Sequence, residues 1–179
     1  MSELTEETIA SQEIYHGNVV NLRRDTVSLP NGQQGAREIV EHSGGVVILP
    51  YQADKVILVE QFRKPTEDTL LEVPAGRLEP EESPQKCARR ELEEETGYQA
   101  GKVKKLYDFY PSPGYTDELL HLYLATDLKK HEQNLDENEF VKLRELTVSD
   151  LKAKLNQGVI KDAKTIIAVQ YLLLKRALD

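Results

Sequence analysis

Residues 76 to 98, GRLEPEESPQKCARRELEEETGY, limit the possible folds more than any other stretch, because they encode a helix with both ends marked and an apolar face too narrow to stand alone. Ser83 is placed to cap the N-terminus with its hydroxyl, Pro84 suits the first helical position, and Gly97 suits a left-handed C-terminal cap. Ala88 and Leu92, four apart, make a stripe just wide enough to seat the helix against a sheet. Strand-forming sequence lies on both sides. GGVVILPYQ and KVILVEQFR are β-branched runs with a hairpin between them, and LLEVPAG reads as a short strand stopped by Pro74 and Gly76. Beyond the helix, KVKKLYDFYPSPG and DELLHLYLATDL read as two more strands joined by the PSPGYTD loop, whose Pro113 stiffens it and whose Gly114 allows a turn that a side chain would obstruct.

At the N-terminus, QEIYHGNVVNLRRDTVSL reads as strand, and the PNG turn at 30 to 32 leads into REIVEH. Toward the C-terminus, HEQNLDENEF is a polar loop, VKLRELTV a strand and LTVSDLKAKLNQG a short helix. DAKTIIAVQYLLLKRAL follows as a last helix, with Ala163, Ile166, Ile167, Tyr171 and Leu174 on one face. Strands, helix, strands and helices in that order predict a mixed α+β fold. With 179 residues, 39% of them hydrophobic, the chain has enough material for one domain with a core, over 43–179, and a small N-terminal β subdomain over 1–42.

Composition excludes several classes. No apolar run approaches the ~20 residues that cross a bilayer, and the acidic MSELTEETIASQEIY lacks the layout of a secretory signal, so a cytoplasmic protein without membrane partners is expected. Cys87 is the single cysteine, and His16, His42, His121 and His131 are scattered, so a metal must be held by oxygen. A net charge of −8 argues against a nonspecific grip on nucleic acid.

A charge run is ordinarily a solvated helix face. Here Glu91, Glu94 and Glu95, at i, i+3 and i+4, gather on one face near the helix C-terminus, where they repel each other and oppose the macrodipole. Nothing local compensates all three, although Arg90 can reach Glu94 or Glu82. A divalent cation relieves the repulsion, and hard oxygen ligands without Cys or His select Mg²⁺ or Mn²⁺.

Gly76, five residues, Glu82, seven residues and then Arg90 through Gly97 (RELEEETG) resemble the Nudix box, GX5EX7REUXEEXG. Tyr98 stands where that family usually has an aliphatic residue. The resemblance implies a Nudix fold, a mixed β-sheet sandwiched between helices, and hydrolysis of a nucleoside diphosphate linked to another moiety. It implies Glu91, Glu95 and the backbone carbonyl of Ala75 as metal ligands, with Glu94 and Glu95 among the catalytic carboxylates and Glu82 paired with Arg90 as a brace.

Three further stretches, EQFRKP, EVPAGRLE and YPSPGYTDE, resemble the ADP-ribose pyrophosphatase subfamily, in which the proline fifteen residues beyond Tyr98, here Pro113, marks ADP-ribose specificity. The subfamily likeness implies Glu137 as general base and Glu139 as a further ligand to two or three Mg²⁺ ions. It implies Glu118 as a carboxylate for ribose hydroxyls, Arg37 and Arg63 as phosphate or adenine-side contacts, and Glu38, Arg77, Ser112, Pro113 and Gly114 as pocket lining. Asn18 and Val19 occupy the place where relatives stack an aromatic on adenine, which leaves Tyr15, Tyr110 and Tyr115 as alternatives. A homodimer that exchanges its N-terminal strands is also implied. Two other readings remain at this stage: a pyrophosphatase for another nucleoside diphosphate sugar such as GDP-mannose, and a ligand sensor without turnover, which would be expected to have lost box carboxylates.

Overall fold

Strand β4 (Gly45–Gln52) is buried on both faces from Gly45 to Pro50, and its alternating side chains divide the core in two. Val47 and Leu49 point into one apolar cluster, whereas Val46 and Ile48 point into the other. The structure, a computed structural model, describes residues 4–135 and 138–178.

The first cluster is closed by α2 (Val148–Asn156) and α3 (Ala163–Leu178), through Val148, Leu151, Ala168, Val169 and Leu172. The second is closed by α1 (Pro84–Thr96), through Cys87, Ala88 and Leu92. Helices therefore cover both faces of the sheet, as the α+β reading anticipates. Beside β4, β9 (Leu120–Lys130) runs parallel and pairs with β8 (Tyr98–Phe109) on its far side. β5 (Lys55–Arg63) meets β4 only at the hairpin tip, Tyr51 with Val56 and Gln52 with Lys55. The two strands then diverge: β6 (Asp68–Glu72) and β10 (Val141–Thr147) flank β5, while β7 (Ala75–Arg77) pairs with β4.

That divergence corrects the reading of LLEVPAG as one strand ended by Gly76. The strand breaks at Val73 and Pro74, and Gly76 sits inside β7. A side chain there would land on the Glu91 carboxylate, so the glycine serves close approach rather than chain reversal.

Two helix readings also change. Ser83 stands at the N-cap of α1 in extended conformation, but its side chain makes no capping bond. Its carbonyl instead accepts from the N–H groups of Lys86 and Cys87. In α3, Thr165, Ala168, Val169 and Leu172 form the most buried face, while Ala163 and Leu174 are exposed. The run IIAVQYLLL is apolar in too many directions to fix the frame, and a polar residue heads the buried stripe because its hydroxyl is fully engaged.

The chain divides into two units: the segment to Gly44 together with Tyr110–Leu119, and Gly45–Phe109 together with the chain from Leu120 onward. The first unit is an antiparallel sheet of β1 (Glu7–His16), β2 (Asn21–Ser28) and β3 (Gln34–Glu41). The single N-terminal run of the sequence reading is split at Gly17, whose N–H donates to the Val20 carbonyl. Tyr110–Leu119 joins this unit by backbone bonds to the end of β3: Val40 N–H to Tyr115 O (2.8 Å) and Asp117 N–H to Val40 O (3.3 Å).

Candidate functional site

In the larger unit, α1 and β7 bring the box residues together. Arg90 is the hub. Its Nε and Nη2 donate to the two oxygens of Glu82 (3.0 and 2.9 Å), and its Nη1 donates to Glu91 Oε1 (2.8 Å) and Glu94 Oε2 (2.9 Å). Nη2 also reaches the Arg77 carbonyl at 3.2 Å. The expectation that nothing local compensates all three of Glu91, Glu94 and Glu95 holds: one long guanidinium serves Glu82, Glu91 and Glu94 but does not reach Glu95. Glu82 is drawn down to about 2 by the Arg90 hydrogen bond.

Glu95 is the exception. It is 4% exposed, and its Oε2 accepts the Ala75 N–H at 3.2 Å. Among the described residues no cation pairs with it directly. Burial pushes its carboxyl up to about 8, and the charge of Glu91 adds to the rise. Burial also raises Glu91, to about 6, against the pull of Arg90 and with help from Glu94 and Glu139. Of these two carboxylates, one helical turn apart beside the backbone of Ala75 and Gly76, Glu91 shares Arg90 with Glu82 and Glu94, and Glu95 has no cation paired with it among the described residues. No set of three His, Cys, Asp or Glu side chains stands ready to enclose an ion among the described residues. The donor set is instead these two carboxylates, and Glu139 is close enough for its charge to act on both. Such hard, electron-rich oxygens fit a divalent cation.

Arg63, at the end of β5, holds Glu72 in a two-point pair, Nε and Nη2 each 2.8 Å from a carboxylate oxygen. Arg77, in β7, is exposed. Glu137 lies outside the described residues. The stem of its loop is strapped to the end of α1: His131 N–H donates to Gly97 O (2.6 Å), Asn134 N–H to Glu94 O (3.1 Å), and Gln133 Nε2 to Glu95 O (2.6 Å). Gly97 has φ +66° and lies against this strap, so it serves both as cap and as contact surface. Cys87 is buried, donates to the Arg77 carbonyl (3.3 Å), and is held as a thiol by burial, which raises it to about 12.

In the smaller unit, Arg24, Ala36, Arg37, Glu38, Gly114 and Tyr115 line an open cavity of about 490 Å³. Arg37 pairs with Glu6. Ser112 O accepts from the N–H groups of Tyr115 and Thr116, which closes a turn over Pro113 and Gly114. Gly114 has no positive φ, and a Cβ there would meet nothing, so the predicted steric need for glycine is not found. Glu118 Oε1 lies 3.7 Å from His42 Nδ1, but that nitrogen already accepts the Gly44 N–H (3.0 Å) and cannot also donate to Glu118. Asn18 and Val19 lie in the β1–β2 turn, and Val19 is exposed. Tyr15, Tyr110 and Tyr115 are all exposed.

Sequence reading passed over the strap residue Gln133 and a buried group around Glu72, Asp162, Lys164 and Thr165. The second had a signal: Asp162 and Thr165, three apart at the head of an apolar run, have the spacing of a helix cap. The first had none, because HEQN is indistinguishable from a solvated loop.

A divalent-metal hydrolase centre built on one helix and a short strand is the class that this fold and geometry define. The NUDIX domain profile matches residues 41–168, and the profile described as nucleoside diphosphate sugar hydrolase N-terminal domain matches residues 6–40. The chain belongs to the Nudix family, whose members generally need a divalent metal. It is 48% identical to an ADP-ribose pyrophosphatase of Bacillus subtilis (strain 168), over 100% of this chain and 98% of that one. It is also 48% identical to a methanol dehydrogenase activator of Bacillus methanolicus, over 99% and 98%. A solved structure described as an ADP compounds hydrolase superposes with a TM-score of 0.85 at 22% identity, covering 99% of this chain and 96% of that one, and so shares the fold. No helix among the described residues is long and apolar enough to cross a membrane.

Proposed function

We propose that the chain hydrolyses the diphosphate bond of ADP-ribose, with water, to AMP and ribose 5-phosphate. The observation that carries the hydrolytic part is the pair Glu91 and Glu95, desolvated and one turn apart, with one shared guanidinium that reaches Glu91 and leaves Glu95 unpaired by any cation among the described residues. The substrate part is supported by the full-length similarity to the Bacillus subtilis pyrophosphatase and by the YPSPGYTDE loop.

Glu91, Glu95, Glu139 and the Ala75 carbonyl are the groups we assign to hold Mg²⁺, replaceable by Mn²⁺, as two or three ions. When bound, the metal neutralises diphosphate charge that would otherwise repel a nucleophile and favours ionisation of the attacking water. The protein's own groups do the rest. Glu137 takes the proton from that water as general base, and Glu94 keeps Arg90 and the box carboxylates in register. Arg63 and Arg37 offer N–H donors to phosphate or the adenine side, and Glu118 accepts from ribose hydroxyls. Glu38, Arg77, Asn18, Val19, Ser112, Pro113 and Gly114 complete the substrate contacts. We further assign the active form as a cytoplasmic homodimer with residues 1–42 as the exchanged element. Support comes from β1, which is exposed along its whole length and displays Ile9, Ile14 and Tyr15.

The test is a panel of ADP-ribose, ADP-glucose and GDP-mannose with Mg²⁺. ADP-ribose is expected to lead by at least about tenfold in kcat/KM, with AMP and ribose 5-phosphate as products. If GDP-mannose leads, the chain is a pyrophosphatase of another nucleoside diphosphate sugar, a reading favoured by the profile over residues 6–40.

A further inference from the structure

A second cluster of charges, at the head of α3, borders the site from behind. Glu72 is 1% exposed and lies between two cations, Arg63 at 2.8 Å and Lys164 Nζ at 3.3 Å. Lys164 Nζ also lies 2.6 Å from Asp162 Oδ1. Asp162 caps α3: its Oδ2 accepts the Thr165 N–H (2.9 Å) and the Thr165 hydroxyl (2.7 Å). That fully buried hydroxyl in turn accepts the Val73 N–H at 2.8 Å.

The chain of bonds has two outlets, both on the site. One ends on Arg63, because Glu72 holds its Nε and Nη2 and thereby fixes the plane of the guanidinium. The other ends on Val73, two residues before Ala75, at the break between β6 and β7, where no ladder partner sets the backbone. Pro74 has no N–H, its carbonyl accepts the Ile48 N–H (2.8 Å) and Ala75 pairs with Val47, so the Val73 bond is the restraint that α3 adds to those of β4 on how Ala75 meets Glu95. Burying Glu72 among three partly covered charges only to join a helix to a strand is an inefficient use of ion pairs, since apolar residues do that at least as well.

We propose that Thr165 and Lys164 are positioning residues, Thr165 for the Ala75 backbone beside Glu95, and Lys164, acting through Glu72, for Arg63. The proposal rests on the metal-dependent hydrolase reading above, and its two arms make different predictions. Thr165→Val keeps the shape but orphans the Val73 N–H, so its defect appears in metal binding. Lys164→Met keeps the aliphatic stem but frees Glu72 to shift with Arg63, so its defect appears in substrate binding.

The experiment is direct Mn²⁺ binding by electron paramagnetic resonance, together with kcat and KM for ADP-ribose and thermal unfolding as a control for folding. Thr165→Val is expected to weaken Mn²⁺ binding by about tenfold, the scale of an outer-shell loss, and Thr165→Ser to restore it. Lys164→Met is expected to raise KM about fivefold or more, the size of one charged hydrogen bond loosened, with Mn²⁺ binding within about twofold of wild type. Equal Mn²⁺ binding by folded Thr165→Val and wild type overturns the first arm. If Thr165→Val does not fold, Thr165→Ala, which removes the same hydroxyl from a smaller side chain, decides: a loss of about tenfold in Mn²⁺ affinity supports the arm, and wild-type affinity overturns it. A Lys164→Met variant with lowered melting temperature but unchanged KM overturns the second arm. Failure of the wild type itself to bind Mn²⁺ overturns the metal reading, and failure to cleave ADP-ribose overturns only the substrate assignment.

Discussion

Glu91, Glu94 and Glu95 share α1 but not one set of partners, and the partner decides how deep each carboxylate sits. The box spacing placed Glu91, Glu94 and Glu95 on one helical face, and the structure distinguishes them by their partners. Arg90 reaches Glu91 and Glu94, whereas Glu95 turns inward to the Ala75 N–H. Periodicity gives a face but not depth, so the distinction could not be read from spacing. Glu95→Gln keeps the volume and the Ala75 hydrogen bond but removes the charge. Turnover is expected to fall by about two to three orders of magnitude, with the unfolding midpoint unchanged or raised. Residual activity within about tenfold of wild type at saturating Mg²⁺ would contradict the assignment. Gly76 gives a second test, because a methyl group there collides with the Glu91 carboxylate rather than with backbone. Gly76→Ala should therefore fold, since the flexible carboxylate can move, yet bind Mn²⁺ at least about tenfold more weakly. Calorimetric titration that finds wild-type affinity would show that Glu91 is not a ligand.

At the scale of elements, sequence marks succeeded where they reflect backbone geometry and failed where they require a side-chain partner. Gly97 takes the left-handed conformation expected of it, and Pro84 opens α1. Ser83 sits at the N-cap but makes no side-chain bond, whereas Thr147 forms a reciprocal capping box with Asp150 at the start of α2. Ser83→Ala should thus leave stability within about 0.5 kcal/mol of wild type, while Thr147→Ala should cost about 1 kcal/mol. Urea unfolding of the two variants side by side checks this; equal losses would mean that the hydroxyl of Ser83 caps after all. The face of α3 shows the other limit. A helix apolar on most sides has several self-consistent frames, and only the packing of Ala168, Val169 and Leu172 against β4 and its neighbours selects one. The hydrophobic runs of β4 and β5 announced strands, but the insertion of β7 beside β4 rests on long-range pairing that no local pattern encodes.

For the whole molecule, the exposed β1 with Ile9, Ile14 and Tyr15 makes oligomeric state a sharp question. Light scattering at assay concentration should show a dimer, and an active monomer would remove residues 1–42 as an exchanged element. The metal centre also sets how global stability depends on pH. The folded-state carboxyl of Glu95 titrates near 8 and that of Glu91 near 6, both above the ordinary value of 4.5. A carboxyl raised on folding binds its proton more tightly in the native state. Its contribution is therefore fully present below pH 4.5 and is lost as pH rises, through about 6 for Glu91 and about 8 for Glu95. Glu82, lowered to about 2 by Arg90, acts in the opposite sense, but only as pH falls below its ordinary 4.5, outside this window. The metal-free protein should accordingly lose thermal stability between pH 5 and 8. A divalent cation takes the place of those protons, so the stabilisation that Mg²⁺ gives should grow steadily across the same window. Melting temperatures measured at each pH with chelator and with Mg²⁺ should diverge toward pH 8. Parallel profiles would mean that the ion binds away from Glu91 and Glu95, and the two desolvated carboxylates would then serve the packing of α1 rather than a metal.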